Sequence, residues 1–345
     1  MVLKGGGMSS EVETTRRLVA AAAHGGYRLD ELHPPEPLVG GASPRQYWRC
    51  WFIGVERPIV ATVAPASSGP TEHGAMAGDE LVRWVSMRHG LASRGVPVPE
   101  VLADPYDGIL FVEDLGDVRV FELWEGGDDA ARVELYAKAA SLLVEFQART
   151  SDMRVATELG PETMMAELEE FRTMGLELRH GYLMTPAERT VWDEAVAAIV
   201  APLCAARPVL AHRDFQSQNI MCPDRGLVLI DFQDAFMAPA AYDWVALLRD
   251  SYIDLPIDLR HELLQLTTPE VRDLFPFQTL QRKLKDAGRF VTLAERGKPS
   301  FLQWYPRTIR YVEEALLATD VAPRLLDLLR TRIPELGAHR PSEDE

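Results

Sequence analysis

Three side chains that carry oxygen atoms stand at a spacing that suits the transfer of a phosphoryl group. Asn219 follows Asp214 by five residues, and Asp231 follows Asn219 by twelve, at the end of an apolar run. Such a transfer needs an oriented hydroxyl and neutralised phosphate charge, and it asks little covalent chemistry of the protein. A carboxylate such as Asp214 can take the hydroxyl proton, and Asn219 and Asp231 supply the oxygen ligands that Mg²⁺ prefers. The spacing therefore predicts a catalytic base together with a Mg²⁺ site.

The residues around Asp214 match the catalytic-loop pattern of kinases, HRDxxxxN. His212, Arg213 and Asp214 supply the first three letters, and Asn219 supplies the last. Asp231 begins the sequence Asp-Phe-Gln, in the place of the Asp-Phe-Gly element whose Asp binds metal. Any one of these residues alone would be interpreted as a turn cap or a core residue. The full set, in this order and beside short apolar strands, favours a kinase catalytic loop.

Strand-like segments occupy the first third of the chain, and helical periodicity dominates the rest. Residues 47–53 and 58–63 are typical of a hairpin, and residues 109–113 of a further strand. Beyond Gly116 the apolar spacing is helical, including a helix that starts with a capping box at Thr185. The pattern predicts an α+β, bilobal protein-kinase-like fold with a small strand-rich N-lobe and a larger helical C-lobe. The expected division is a lead-in at 1–10, a nucleotide-binding lobe at 11–116, a catalytic and substrate-binding lobe at 117–340 and a disordered tail at 341–345.

The composition is that of a globular, cytoplasmic protein. Its 345 residues suffice for two lobes, and its formal net charge of −16 makes nucleic acid a poor partner. The three cysteines show no CxxC spacing, which argues against a disulfide framework and a zinc site. No apolar run reaches the length of a membrane span, so no membrane partner is expected. The oligomeric state is left open by these features.

Four stretches carry a family resemblance: residues 111–117 (FVEDLGD), 212–221, 230–235 (IDFQDA) and 241–254 (AYDWVALLRDSYID). Through them the chain resembles the aminoglycoside phosphotransferase/choline kinase family of small-molecule kinases. Within that family it looks most like the bacterial N-acetylmuramate/N-acetylglucosamine anomeric kinases. The catalytic loop is specific to the whole superfamily, whereas the last two stretches point to the anomeric sugar kinases.

This resemblance implies a kinase that uses ATP and Mg²⁺ and phosphorylates the anomeric hydroxyl of a small-molecule amino sugar in cell-wall sugar recycling. It makes Asp214 the base, and Asn219 and Asp231 the metal ligands. It also implies that the adenine lies at an inter-lobe hinge, for which three residues are candidates: Phe111, Glu113 and Leu115. An edge strand followed by an acidic turn is the plainer interpretation of that stretch.

The resemblance further implies support for the catalytic loop and a surface for the acceptor. His212 and Asp243 take structural roles beside the loop, although an acidic helix cap explains Asp243 about as well. Four residues become candidates for contact with the acceptor sugar: Gln216, Arg249, Asp250 and Asp254. Asp250 and Asp254 would share one helix face if the helix reaches that far. A solvated charged surface is the simpler explanation for each of these charged residues.

The nucleotide loop is the weakest part of the pattern, because the sequence Gly-Gly-Ala-Ser before the first hairpin strand is not GxGxxG. The residues assigned to the phosphates there are Gly41, Ser43 and Arg45. The third strand, in residues 59–65, lacks the Lys that usually pairs with the phosphates and with a helical Glu. Glu80 is the available helical Glu, and either Arg45 or Arg49 is a candidate to replace the lost positive charge.

Two other functions stay open at this point. The first is an aminoglycoside or other antibiotic phosphotransferase, which an acidic surface would suit. The missing Lys and the IDFQDA stretch count against it. The second is a pseudokinase, a catalytically silent nucleotide-binding module that regulates a partner. The presence of Asp214, Asn219 and Asp231 together argues against a silent site.

Overall fold

The computed structural model describes residues 7–38, 45–64, 77–319 and 321–336 of the chain. The predicted phosphate-loop residues Gly41 and Ser43 lie outside these ranges, as does the tail from residue 341. The chain forms two compact units. The first comprises Met1–Val118 and Met221–Gln233, and the second comprises Arg119–Ile220 and Asp234–Glu345.

Helices make up most of the secondary structure in the described ranges. They are α1 (Gly7–His24), α2 (Ala77–Ala92), α3 (Val120–Gly126), α4 (Asp129–Arg149), α5 (Pro161–Glu170), α6 (Pro186–Ala205), α7 (Ala241–Leu248), α8 (Ile257–Leu264), α9 (Pro269–Glu295), α10 (Tyr305–Ala318) and α11 (Pro323–Arg330). A π-helical stretch at Phe171–Leu178 follows α5, and 3₁₀ turns cover Ser217–Asn219 and Pro299–Trp304.

The strands in the described ranges are short. They are β1 (Glu36–Leu38), β2 (Gln46–Cys50), β3 (Ile59–Val63), β4 (Val101–Tyr106), β5 (Ile109–Glu113), β6 (Val209–Ala211), β7 (Ile220–Met221), β8 (Val228–Leu229) and β9 (Phe236–Ala238). Three sheets result, with strand orders β1-β2-β3-β5-β4, β6-β9 and β7-β8. The predicted hairpin is confirmed, because β2 and β3 pair antiparallel with Tyr47 opposite Thr62.

The five-stranded sheet of the first unit has a helix against each face. Successive side chains on a strand point to opposite faces, so Trp48 and Cys50 lie on one side of β2 and Tyr47 on the other. The first face packs against α1 in a buried cluster that includes Leu18, Ala22, Trp48, Cys50, Ala61 and Phe111. The second face packs against α2 through Leu81, Leu110 and Val112. Thr62 belongs to this second face, because it alternates with Ala61 along β3.

The segment Met221–Gln233 is anchored to this sheet unit although it is distant in sequence. The backbone N–H of Leu229 donates to the carbonyl of Pro97 at 2.9 Å, and that of Cys222 donates to Val118 at 2.8 Å. The Phe232 ring lies 5.0 Å from the Trp84 ring of α2. These contacts fix the place of the Asp-Phe-Gln element in the first unit.

The second unit is built around the long helix α9. Thr268 caps its start by accepting from the backbone N–H of Val271, and Pro269 occupies the first turn, where a missing N–H costs nothing. Helices α5, α6, α7 and α10 and the π-helical stretch all pack on α9. At Gly288 the π-helical stretch comes so close that a Cβ would lie 2.9 Å from the backbone of Phe171. The predicted capping box of α6 is confirmed, with Thr185 and Glu188 each bonding the other's backbone.

Polar side chains are buried in the middle of α9, which is unusual for the central helix of a core. They are Gln278, Thr279, Gln281, Arg282 and Lys283. Burying such groups is costly unless they find partners, so this stretch is a candidate for a role beyond packing. Nowhere in the described ranges is a helix both long and apolar enough to cross a bilayer.

Candidate active site

The predicted catalytic loop follows β6 in the second unit, and its backbone is hydrogen-bonded to Asp243. The carboxylate of Asp243, on α7, accepts the backbone N–H of His212 at 2.6 Å and that of Arg213 at 3.1 Å. Arg213 has a left-handed backbone with φ of 80°, a costly conformation that neighbouring contacts must maintain. Burial raises the pKa of Asp243 to about 7, against the lowering pull of these two donors and of Arg282. Asp243 therefore bonds two consecutive backbone N–H groups at the start of the predicted catalytic loop.

His212 lies in an apolar setting beneath the same loop. Its side chain is fully buried, and its ring packs edge-on against the rings of Phe146 and Phe215. Such a setting suits a residue that shapes the loop from the core.

Asp214 is partly open to solvent and is bonded on one side by Arg282 of α9. Its side chain is 35% exposed, and one oxygen, Oδ1, accepts a hydrogen bond from Nη2 of Arg282 at 3.0 Å. Burial would raise the pKa of Asp214, but the charges of Arg282, Lys285 and Arg213 together hold it below its ordinary value. The carboxylate is therefore ionised at neutral pH and keeps an oxygen for another partner.

Asn219 closes the loop five residues later. Its amide Nδ2 donates to the backbone carbonyl of Asp214 at 2.9 Å, which leaves the amide oxygen as the atom available to a cation. The backbone N–H of Asn219 donates to Gln216 at 2.8 Å, so Gln216 takes part in the turn through its carbonyl. The Gln216 side chain is half-buried.

The structure revises the expected role of Asp250. The side chain is 1% exposed, and its oxygens accept the backbone N–H groups of Ser217 and Tyr252, each at 2.8 Å. A carboxylate so buried and so occupied holds the catalytic loop and does not face an acceptor. The helix α7 ends at Leu248, so the helix face that Asp250 and Asp254 were expected to share does not form.

Arg249 and Asp254 occupy ion pairs with α10. Arg249 contacts Glu314 and lies over the rings of Phe275 and Tyr311, whereas the half-exposed Asp254 contacts Arg310. A cavity of about 190 Å³ has Arg249 and Phe275 in its wall but neither Asp214 nor Asn219. In the described ranges, then, neither Arg249 nor Asp254 has a contact with the predicted base.

The first unit holds the predicted metal ligand Asp231 next to an arginine. Asp231 has a left-handed backbone with φ of 64°, and its Oδ1 accepts from Nε2 of Gln233 at 2.8 Å. Nη1 of Arg45 lies 3.8 Å from the same oxygen, and Nε of Arg45 donates to Oε1 of Glu80 at 2.7 Å. Burial works against the charge of Arg45, but Tyr47 and Glu80 hold its pKa above its ordinary value. Arg45 thus pairs with the helical Glu that a strand-three Lys would engage.

Arg49, the other candidate for replacing that Lys, lies elsewhere in the unit. Its guanidinium bonds Asp114 at 2.5 Å and Asp117 at 2.8 Å, at the predicted hinge. The structure thus separates the two arginines: Arg45 belongs to the Glu80 and Asp231 cluster, and Arg49 belongs to the hinge.

The predicted adenine-binding residues differ in their surroundings. The Phe111 side chain is 2% exposed and packs in the α1 face of the sheet, 5.1 Å from the Phe52 ring. The prediction for this side chain is therefore corrected, because it faces the core and not a ligand. Glu113 bonds Arg225 at 2.7 Å and 3.0 Å. Leu115 packs in an apolar cluster with Met221 and Val228.

Sequence reasoning missed Arg282, which contacts Asp214 from a helix that carries no recognised motif. The only signal was the polar run at residues 281–286 (QRKLKD). Such a run is usually a solvated surface, and only the packing of α9 reveals that it is buried.

Comparison with known proteins places these features in a family. The profile of the phosphotransferase enzyme family, APH, matches residues 35–275, about 70% of the chain. The chain belongs to this family. An N-acetylmuramate/N-acetylglucosamine kinase of Neisseria meningitidis is 34% identical over 235 residues, which cover 63% of this chain and 70% of the relative. A kinase of the same name from Pseudomonas aeruginosa is 27% identical and covers 87% of this chain and 89% of the relative.

Solved structures confirm the protein-kinase-like fold of this phosphotransferase. A choline/ethanolamine kinase family protein from Mesorhizobium loti has a TM-score of 0.60 at 16% identity, covering 93% of this chain and 99% of its own. A choline kinase of Streptococcus pneumoniae has a TM-score of 0.58 at 14% identity, covering 89% and 99%. At these identities the likeness is one of fold alone.

Proposed function

We propose that the protein transfers the γ-phosphate of ATP to the anomeric hydroxyl of an amino sugar, N-acetylglucosamine and/or N-acetylmuramate. The observation that carries this proposal is the shared name of four relatives at 27–34% identity, each an N-acetylmuramate/N-acetylglucosamine kinase. The catalytic-loop geometry supports a kinase of this type. In the cell, the reaction would serve the recycling of cell-wall sugars in the cytoplasm.

Asp214 is the base of the proposed reaction. It accepts a hydrogen bond from the anomeric hydroxyl and takes the proton as the new oxygen–phosphorus bond forms. Because neighbouring cations lower its pKa, Asp214 is ionised at neutral pH and is a weak base. An anomeric hydroxyl is more acidic than an ordinary alcohol, since the ring oxygen withdraws electron density from it. A weak carboxylate base therefore suits this acceptor.

Asn219 and Asp231 are the proposed ligands of Mg²⁺. The amide nitrogen of Asn219 donates to the Asp214 carbonyl, which leaves the amide oxygen as the atom that can bind the ion. The side chain of Asp231 is 45% exposed, so its carboxylate can reach a cation from solvent. Amide and carboxylate oxygens fit a hard cation of this size. When bound, Mg²⁺ neutralises the charge on the phosphate oxygens.

Arg45 is the proposed replacement for the strand-three Lys. Its side chain is 7% exposed and bonds Glu80, as the usual Lys bonds the helical Glu. A guanidinium with several donors can keep Glu80 and still present N–H groups to a phosphate. Gly41 and Ser43 remain proposed contacts of the phosphates through their backbone and hydroxyl.

The test is release of ADP with ATP and Mg²⁺ across an acceptor panel of N-acetylglucosamine, N-acetylmuramate, glucose and two aminoglycosides. Turnover of the N-acetyl sugars, with the phosphate located on the anomeric carbon by NMR of the product, is expected. Turnover of the aminoglycosides alone would reject the proposal in favour of an antibiotic kinase. No release of ADP with any acceptor, while nucleotide still binds, would favour a pseudokinase.

A further inference from the structure

One arginine of the second unit is fully buried and yet touches the predicted catalytic residue. The Arg282 side chain is 1% exposed, and it is among the largest fully buried side chains in the described ranges. A buried guanidinium is tolerated only where charged and hydrogen-bonding partners surround it. What those partners are decides what the residue does.

The guanidinium of Arg282 bridges two adjacent groups of the catalytic loop. Nη2 donates to Oδ1 of Asp214 at 3.0 Å, and Nη1 donates to the backbone carbonyl of Arg213 at 2.6 Å. The planar fork of an arginine can satisfy two acceptors at once in a fixed geometry, which a lysine cannot do. The same side chain therefore fixes the carboxylate of Asp214 and the left-handed backbone that carries it.

Further contacts hold the guanidinium itself in place. Its carbon lies 4.7 Å from the centre of the Tyr242 ring, and Nε lies 3.8 Å from Oδ2 of Asp286 one turn along α9. Asp286 in turn pairs with Lys283 at 2.7 Å and with Lys285 at 3.5 Å. An arginine so confined has little rotational freedom, and this confinement passes to the group that it grips.

We propose that Arg282 is the positioning residue for the base: it holds Oδ1 of Asp214 and the Arg213 carbonyl, so that the other carboxylate oxygen, Oδ2, is aimed at the acceptor hydroxyl. This inference rests on the proposed role of Asp214 as base. Arg282 stays charged and exchanges no proton, because an arginine keeps its proton in a protein. Its contribution is orientation, and misplacing a reacting group by about 1 Å can cost roughly 10²-fold in rate.

The test compares Arg282→Ala and Arg282→Lys with a control at Arg179. Arg179 is matched in its contacts: it pairs with Glu335 at 3.0 Å and lies 4.1 Å from the centre of the Tyr305 ring. We expect Arg282→Ala to lower kcat by about 10²-fold, with KM for ATP within about twofold of the parent. Arg282→Lys keeps the charge but can bond only one of the two acceptors, so its kcat should lie between those of the parent and of Arg282→Ala. Arg179→Ala should leave kcat within about twofold.

Chemical rescue separates positioning from a structural role. Guanidinium, added to Arg282→Ala well below denaturing concentrations, should restore kcat in a saturable way, and equal NaCl should not. A loss of kcat in Arg282→Ala that guanidinium leaves unchanged would overturn the proposal. So would a parental kcat in Arg282→Lys, and that variant decides the question if the alanine variant does not fold.

A second readout keeps this inference separate from the identity of the acceptor. The slow hydrolysis of ATP without any sugar uses water in place of the hydroxyl and needs no acceptor. If no amino sugar is turned over but Arg282→Lys and Arg282→Ala still slow this hydrolysis, the proposed acceptor is wrong and the positioning role stands. If sugars are turned over and the Arg282 variants equal the parent, the acceptor stands and the positioning role is wrong.

Discussion

Two arginines accompany the two acidic residues predicted to do the chemistry, and they differ in how they engage them. In the second unit Arg282 bonds Asp214 directly at 3.0 Å. In the first unit Arg45 bonds Glu80 at 2.7 Å and lies 3.8 Å from Asp231, beyond hydrogen-bond distance. The first arrangement fixes a carboxylate by a direct hydrogen bond, whereas the second places a positive charge at ion-pair distance from a carboxylate that also accepts from Gln233.

This difference matches what each acidic residue would need. A base must be held in one orientation against an acceptor, and direct contact with Arg282 provides that. A metal ligand must be reachable by the ion, and the Asp231 side chain is 45% exposed. In both regions the backbone is left-handed at the site, at Arg213 and at Asp231. Arginine would thus orient a carboxylate in the second unit and supply positive charge in the first.

The largest effect is expected from removing the carboxylate of Asp214 or that of Asp231. Asp214→Asn should lower kcat by about 10²- to 10⁴-fold and leave the affinity for ATP intact, because the amide oxygen can still accept from Arg282 but cannot act as the base. Asp231→Asn should instead weaken the binding of Mg²⁺ with nucleotide. The measurement is steady-state kinetics with titrations of Mg²⁺ and ATP. Asp224→Asn, at an exposed position in the turn between β7 and β8, is the control and should match the parent. Equal defects in the two variants would undo the division of roles.

The next largest effect is expected from removing Arg45, and a lysine placed on β3 tests whether its positive charge is what matters. Arg45→Ala should lower kcat/KM for ATP by about 10²- to 10³-fold, as the loss of one preorganised charge donor does elsewhere. Adding Thr62→Lys should then recover part of the activity. Thr62 lies opposite Tyr47 on the sheet face that packs against α2, and Arg45 precedes Tyr47 by two residues, the spacing of one strand face. Thr62→Lys alone serves as the control. No recovery in the double variant would contradict the replacement of the strand-three Lys by Arg45.

A smaller effect, on stability and pH, should come from Asp243. Its pKa is raised by burial to about 7, well above the value in an unfolded chain. The folded state thus binds more protons between pH 4 and pH 7, so this carboxyl makes stability fall as pH rises through that window. The slope from one such group is at most about 1.4 kcal/mol per pH unit. Asp243→Asn should flatten this part of the profile of unfolding free energy against pH, measured by urea titration. An unchanged slope would contradict the prediction.

Much of the fold and part of the site could be predicted from sequence, because the relevant signals are local. The hairpin of β2 and β3, the capping box at Thr185 and the order of Asp214, Asn219 and Asp231 all lie within short stretches. The catalytic loop has fixed spacing, so its residues are recognisable without any knowledge of packing.

The partners of these residues could not be predicted, because they come from distant parts of the chain. Arg282 reaches Asp214 across 68 residues, and nothing in the sequence around it marks it as buried. The resemblance makes Asp250 a candidate for contact with the acceptor, yet burial and two backbone donors give it a structural place. Phe111 belongs to a strand whose alternation is hidden by a run of apolar residues, so its face could not be assigned.

The smallest expected effect tests how α9 carries Arg282 to the loop. At Gly288 a Cβ would lie 2.9 Å from the backbone of Phe171, and backbone cannot move aside as the end of a side chain can. Gly288→Ala should therefore destabilise the protein by about 1–3 kcal/mol, in spite of the better helix propensity of alanine. Gly126→Ala, in a helix where nothing lies within 4 Å of the added Cβ, is the control and should gain up to about 1 kcal/mol. Both are measured by urea unfolding.

Because Arg282 lies six residues before Gly288 on the same helix, a shift of α9 should also lower kcat with Gly288→Ala more than with Gly126→Ala. A stable Gly288→Ala with parental kcat would mean that this close contact does not set the position of Arg282.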